Sequence, residues 1–235
     1  MLLYIIRHGD PDYKTDTLTE RGRAQAEAVA LRMQRSGITQ VYSSPMGRAK
    51  ETAAPTCRLL SLPCHIEDWA HEIEEERITH FPDGKRKSVT DLQNTYYREN
   101  GAIDLPYDRT MEAPGFSDTE MDKAAARIAE GGRDFLRRLG YEEEGGIYRI
   151  TAPSDARVAL FCHSAMARAW LSTLLHIPLH LMWAGFHYTH TGVTVLEFKN
   201  YKNGVTAPRC LVYSDMSHLF AAGLDMRHNG SKEGI

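Results

Sequence analysis

The chain opens Met1-Leu2-Leu3-Tyr4-Ile5-Ile6-Arg7-His8-Gly9-Asp10. Residues 2–6 are an unbroken apolar run of strand length containing two β-branched isoleucines. Such a run suits a strand buried on both faces in the middle of a parallel sheet. Polarity then changes abruptly to Arg7, His8, Gly9 and Asp10. Open α/β sheets bind ligands beyond the carboxyl ends of their strands, which makes Arg7 and His8 candidates for a site there. Gly9 permits a sharp turn or a close backbone approach. Taken alone, the Arg-His pair fits a solvent-facing strand end equally well.

Residues 19–36 read as a helix with Thr19 as N-cap, Ala24, Ala28 and Leu31 at helical spacing, and Gly37 as its stop. Residues 38–42 form a second short strand, and Pro45 suits the first turn of a helix reaching residue 60. Arg48 then falls in that first turn, where a cation opposes the helix dipole. An anion held by the free N–H groups and the guanidinium would compensate. Residues 64–68 are a third strand, leading to Trp69-Ala70-His71-Glu72-Ile73. Glu74, Glu75 and Glu76 follow, so a solvated acidic run is the plain reading of that neighbourhood.

Residues 74–116 change character, with one helix expected over 89–100 and turn signals at Leu105-Pro106 and Ala113-Pro114-Gly115. They read as a cap inserted in a single domain spanning residues 1–235, where substrate choice would reside. Ser117 and Glu120 have capping-box spacing ahead of a helix whose apolar face runs Met121, Ala125, Ile128, Gly132, Phe135, Leu139. Residues 146–150 read as a strand pairing across a turn with residues 157–162. That second strand ends in His163-Ser164 and enters an apolar helix, repeating the geometry of His8. Two later strands, residues 192–199 and 209–214, flank the hairpin signal Asn203-Gly204, and the last dozen residues read as loose.

Three of these stretches resemble signatures of the histidine phosphatase superfamily, which includes cofactor-dependent phosphoglycerate mutases and many small-molecule phosphatases. They are Leu3-Tyr4-Ile5-Ile6-Arg7-His8-Gly9, the segment Tyr42-Ser43-Ser44-Pro45-Met46-Gly47-Arg48-Ala49-Lys50-Glu51-Thr52-Ala53, and Val158-Ala159-Leu160-Phe161-Cys162-His163-Ser164. A weaker match surrounds Glu72-Ile73, and Asp215-Met216-Ser217-His218 resembles a tail motif of bacterial members with His218 structural. The resemblance implies an α/β three-layer sandwich: a mainly parallel sheet, helices on both faces, and an inserted cap. It implies His8, Glu72 and His163 as catalytic groups and Arg7 and Arg48 as phosphate ligands. Ser164 stands where the family more often has glycine, so its hydroxyl either joins the phosphate site or is merely tolerated.

The implied reaction is hydrolysis of a small phosphorylated metabolite through a phosphohistidine, with neither metal nor cofactor. Mutases of the family carry a Trp-Asn pair after Arg-His-Gly, whereas this chain continues Asp10-Pro11-Asp12-Tyr13-Lys14-Thr15-Asp16. Those acids would repel a bisphosphate, so a phosphatase is favoured over a mutase-type phosphotransferase. A non-catalytic phosphate- or phosphopeptide-binding module needs the Arg/His cradle but no Glu72, and is the alternative from another class.

Bulk properties narrow the partners. A net charge of −3 over 235 residues leaves no basic footprint for nucleic acid, and no apolar run approaches the ~20 residues of a membrane span. Cys57, Cys64, Cys162 and Cys210 are scattered, as expected of free thiols in the cytoplasm. His187 and His190 lack the companions of a metal site. Trp183, Phe186 and Tyr188 line either the pocket or an interface, so a homodimer stays open.

Overall fold

The computed structural model describes residues 1–81 and 84–226; most of the expected loose tail, residues 227–235, lies outside the described residues. The first half supplies β1 (Leu2–Arg7), α1 (Glu20–Arg35), β2 (Gln40–Ser43), α2 (Gly47–Leu60), β3 (Cys64–Ile66) and α3 (Asn94–Glu99). The second supplies α4 (Met121–Arg138), β4 (Tyr141–Glu144), β5 (Ile147–Ile150), β6 (Arg157–Cys162), α5 (Ser164–Leu175) and α6 (Leu179–Gly185). The chain closes with β7 (Val193–Glu197), β8 (Val205–Thr206), β9 (Arg209–Asp215) and α7 (Ser217–Ala221).

A six-stranded sheet in the order β9-β7-β1-β6-β2-β3 organises the molecule. Strands β1, β6, β2 and β3 run parallel, while β7 and β9 add antiparallel pairings at one side. The unbroken apolar run of β1 has a direct cause, because both faces are covered. Leu3 and Ile5 join one core with α4 and α5 residues such as Ile128, Phe135 and Met166. Tyr4 and Ile6 join the other, with Val29 and Met33 of α1 and Ala53 of α2. This is the expected α/β sandwich with helices on both faces. Among the described residues, no helix is long and apolar enough to cross a membrane.

Several local expectations change. Helix α2 starts at Gly47 rather than at Pro45, because the Asp16 carboxylate takes the Gly47 N–H at 2.6 Å. The Ser117/Glu120 capping box does not form; α4 begins at Met121, whose N–H is accepted by Thr119 Oγ1 at 3.3 Å. Strand β5 pairs with β4 and β8 in a separate three-stranded sheet rather than with β6. Gly145 and Gly146, both at positive φ, make the tight β4–β5 turn. Asn203-Gly204 does turn the chain, but into β8 before β9 begins, so it is no simple hairpin. Residues 74–116 contribute Val89, Leu92, Tyr97, Ala102, Ala113 and Phe116 to the α4/α5 core, so they are packed into the body of the molecule.

The turn after β1 is locked by two glycines. A Cβ on Gly9 would stand 2.7 Å from the Gly22 carbonyl oxygen, and one on Gly22 would stand 2.1 Å from that of Asp10. This contact fixes the His8 loop against the first turn of α1, whose N-cap Thr19 accepts from Gly22 N–H at 3.0 Å. Gly22→Ala is expected to lower stability by about 1–3 kcal/mol through backbone overpacking. Urea denaturation checks this; a shift within about 0.5 kcal/mol, the size of an ordinary surface change, would show that the loop yields freely.

Candidate active site

The carboxyl edge of the sheet gathers the residues the sequence nominates. His8 follows the last residue of β1, and its N–H donates to Cys162 O of β6 at 2.9 Å. His163 follows β6 and is the N-cap of α5. Both rings are buried, and their centroids lie 5.2 Å apart. His8 Nδ1 lies 2.7 Å from the Gly9 carbonyl oxygen. A carbonyl can only accept, so Nδ1 carries the proton, and in the neutral ring Nε2 holds the lone pair. His163 Nε2 meets Ser44 Oγ at 2.7 Å, while its Nδ1 is buried without a hydrogen-bond partner.

Two buried arginines flank these rings. Arg7 donates from Nη1 to Tyr188 O at 2.5 Å, and burial lowers its pKa only to about 10, so it stays charged. Arg48 occupies the first turn of α2 as expected, but the compensating anion is internal. Asp16 accepts from Arg48 Nη1 at 2.5 Å while also capping Gly47 N–H, and the Tyr13 ring lies 5.5 Å from the guanidinium carbon. Arg48 Nε remains buried without a partner. A buried donor or acceptor left unmatched is costly unless a ligand completes it, and here one sits on Arg48 and another on His163.

Burial is the first cause that holds both histidines well below their ordinary pKa. The charge of Arg7, and then His163 and Arg48, acts next on His8; Arg48 and then Arg7 act on His163. Both are therefore neutral imidazoles at neutral pH, one the state of a nucleophile, the other of a hydrogen-bond partner.

Glu72 is the one member of its acidic neighbourhood that lines the cavity; Glu74 and Glu75 are exposed. Its Oε1 accepts from Met166 N–H at 2.9 Å and Ile73 N–H at 3.0 Å, and its Oε2 from Ala165 N–H at 3.3 Å. The carboxylate thus sits on the amino end of α5, favoured by the dipole. Ser164, the first residue of that helix, lines the same cavity of about 470 Å³, together with Arg7 and Glu72.

Sequence reasoning missed the groups that support these. Thr52, one turn after Arg48 on α2, accepts from Gly9 N–H at 2.9 Å and donates to Arg48 O at 2.7 Å, joining the His8 loop to the arginine helix. His190 packs 5.5 Å from the His8 ring with Asp10 3.4 Å from its Nδ1, a neighbour that only the tertiary fold reveals. Trp183 and Tyr188 are buried within the molecule, Phe186 is exposed, and Trp183 and Phe186 both line the cavity. His218 packs against Thr191 Oγ1 at 3.0 Å, as a structural residue would.

A mainly parallel α/β sheet with paired histidines and arginines at its carboxyl edge has the phosphoglycerate mutase-like fold. The chain belongs to the histidine phosphatase superfamily (branch 1), whose profile matches residues 3–101 and 107–210. A probable phosphoglycerate mutase GpmB from Yersinia pestis is 26% identical over 190 residues, 76% of each chain. The structure of a phosphoserine phosphatase from Entamoeba histolytica with 3-phosphoglyceric acid superposes with TM-score 0.60 at 21% identity, covering 93% of this chain and 98% of that one. A mycobacterial glucosyl-3-phosphoglycerate phosphatase gives 0.58 at 20% identity, covering 91% and 98%. Family and neighbours together support a phosphatase or mutase enzyme.

The lowered histidine pKa values set a pH dependence. Unfolded histidines titrate near 6.5, while folded His8 and His163 resist protonation. Below pH 6.5 the unfolded chain therefore binds more protons, so their contribution to stability is complete above that pH and is lost as pH falls further. Nitrogen-15 NMR of the two imidazoles should show no protonation on acidification to about pH 5, a full unit and more below the ordinary value. Titration near 6.5 would contradict the burial described.

Proposed function

We propose that this protein is a phosphomonoester hydrolase that works through a phosphohistidine on a small phosphorylated metabolite. The observation that carries this reading is the His8 tautomer. Gly9 O holds the proton on Nδ1 and leaves the Nε2 lone pair among two buried guanidiniums and a neutral imidazole. Arg7 and Arg48 would neutralise the phosphoryl oxygens, which otherwise repel any nucleophile. The unmatched His163 Nδ1, as N–H, would donate to one of those oxygens when Ser44 Oγ–H donates to Nε2.

His8 Nε2 attacks phosphorus and the ester P–O bond breaks. The leaving oxygen takes a proton from Glu72 in its carboxylic acid form. Water then attacks the phosphohistidine, Glu72 accepts its proton, the P–N bond breaks and inorganic phosphate departs. Ser164 lies at the cavity wall, where its hydroxyl can add one hydrogen bond to the phosphoryl group. All these roles belong to protein side chains, so no metal takes part. The acids of the 10–16 loop support hydrolysis over mutase chemistry, since Asp16 already claims Arg48 and adds negative charge beside the site.

Hydrolysis of p-nitrophenyl phosphate in EDTA is the expected activity, and His8→Ala should lower its kcat by about three orders of magnitude, as loss of a nucleophile does. Turnover abolished by EDTA, or surviving in the variant, would overturn the mechanism. Glu72→Gln should abolish turnover yet keep phosphate affinity; the same rate in Glu72→Gln as in wild type would remove the carboxyl from its acid/base role.

A further inference from the structure

Two of the four cysteines that stand apart in the sequence meet in the fold. Cys57 lies in the last turn of α2, and Cys64 opens β3, an edge strand of the central sheet. Between them the chain reverses tightly. Ser61 ends α2 with a left-handed φ of 54°, and Leu62 N–H returns to Cys57 O at 3.1 Å.

The register of β3 decides which way Cys64 points. Its partner across the parallel ladder is Val41 of β2, and the next residue, His65, stands opposite Tyr42. Partners in register share a face of the sheet, and faces alternate along a strand. Val41 belongs to the core shared with α1 and α2, whereas Tyr42 packs on the α4 side against Phe135. Cys64 therefore faces α2, and Cys57, Leu60 and Leu62 pack against that same core. There the two thiols hydrogen-bond to each other.

This contact makes the two sulfurs unlike. The Cys64 S–H donates to the Cys57 sulfur, which holds the Cys57 thiol below its ordinary pKa, while the same bond pushes Cys64 up. The helix dipole is not the cause, because Cys57 lies at the carboxyl end of α2, where a thiolate is disfavoured. Cys57 is half-buried and Cys64 exposed, so a small oxidant reaches the pair. The other two thiols differ: Cys162 is wholly buried, Cys210 donates to Val212 O at 3.3 Å, and burial pushes both up.

We propose that Cys57 and Cys64 form an oxidation site, a thiol pair that a hydroperoxide closes to a disulfide between the end of α2 and the sheet edge. The Cys57 thiolate attacks a peroxide oxygen; the S–O bond forms, the O–O bond breaks, and the departing hydroxide takes up the proton that Cys57 released. The Cys64 sulfur then attacks the sulfenic sulfur; the S–S bond forms, the S–O bond breaks, and the second hydroxide leaves as water with the Cys64 proton. The thiols lose two electrons and two protons, and the peroxide becomes two waters. The closed loop is short, so the second step outruns attack by another molecule. None of this requires phosphoryl transfer, so the site stands apart from the phosphatase reading.

The test treats the reduced full chain with hydrogen peroxide under native conditions, then alkylates the remaining thiols and digests with trypsin. Cleavage after Lys50, Arg58 and Arg77 places the two cysteines in different peptides, residues 51–58 and 59–77. These should be recovered as one linked species, lighter by two hydrogens than the pair, that dithiothreitol separates. Its formation should run about tenfold or more faster than oxidation of Cys210, following thiolate character and exposure. Cys64→Ser, whose hydroxyl can still donate to Cys57, should halt at a Cys57 sulfenic acid that dimedone traps. Cys57→Ser should leave Cys64 no more reactive than Cys210. Over-oxidation of Cys57 with no linked peptides, disulfide-linked dimers of the chain in place of the internal bond, or unchanged Cys64 oxidation in Cys57→Ser would each overturn the proposal.

Discussion

The constraint on which this structure depends is the burial of two guanidinium groups at one edge of a sheet. Arg7 and Arg48 are both almost wholly buried, so each needs acceptors within the protein. Arg7 finds the Tyr188 carbonyl, which ties the segment before β7 to β1. Arg48 finds Asp16, which pulls the 10–18 loop across the site and brings Tyr13 over the guanidinium. The same two charges act on the histidines between them and help hold both rings neutral. The edge is thus assembled around charge, with the apolar cores on either side fixing how far its members can relax.

A second dependence runs through α5. His163 is the N-cap residue of that helix and Glu72 sits on its first free N–H groups, so the two side chains are placed by one rigid element. Thr52 does the same on the other side, coupling the His8 loop to the backbone of Arg48. Side chains held this way keep their separations through bonds to secondary structure rather than to mobile loops.

Much of this was legible in the sequence, and for identifiable reasons. The apolar run of β1 and its abrupt end at Arg7 and His8 follow from local pattern, as does the matching end of β6 at His163. Glu72 could be named only by family resemblance, since its distinction from Glu74 and Glu75 is a helix end 92 residues further on, at Ser164. The dipole argument at Arg48 found the need for an anion but not its source, because Asp16 lies 32 residues away in the chain. Strand β4, Tyr-Glu-Glu-Glu, has no apolar alternation; its signal was the following glycine pair, whose positive φ values suit a two-residue turn. The misplaced start of α4 shows the same limit. Ser117 and Glu120 have the right spacing, but Thr119 lies closer to the first free N–H and takes it.

The register of β1 also has a consequence for how the protein is made. Its two neighbours are β6, at residues 157–162, and β7, at residues 193–197. Strand β1 therefore leaves the ribosome well before either neighbour and has no partner in this sheet until most of the residues up to β6 have followed. At bacterial or eukaryotic elongation rates that delay is on the order of ten seconds or more. During it, Leu2 to Ile6 is a naked apolar segment of the kind that chaperones bind and that aggregates if left alone. Helices α1 and α2 can meet earlier, but the pocket between the histidines comes into being only when β6 slides in beside β1. An unfinished chain has no such pocket, so nothing that binds there can guide its folding and binding can only reward the completed molecule.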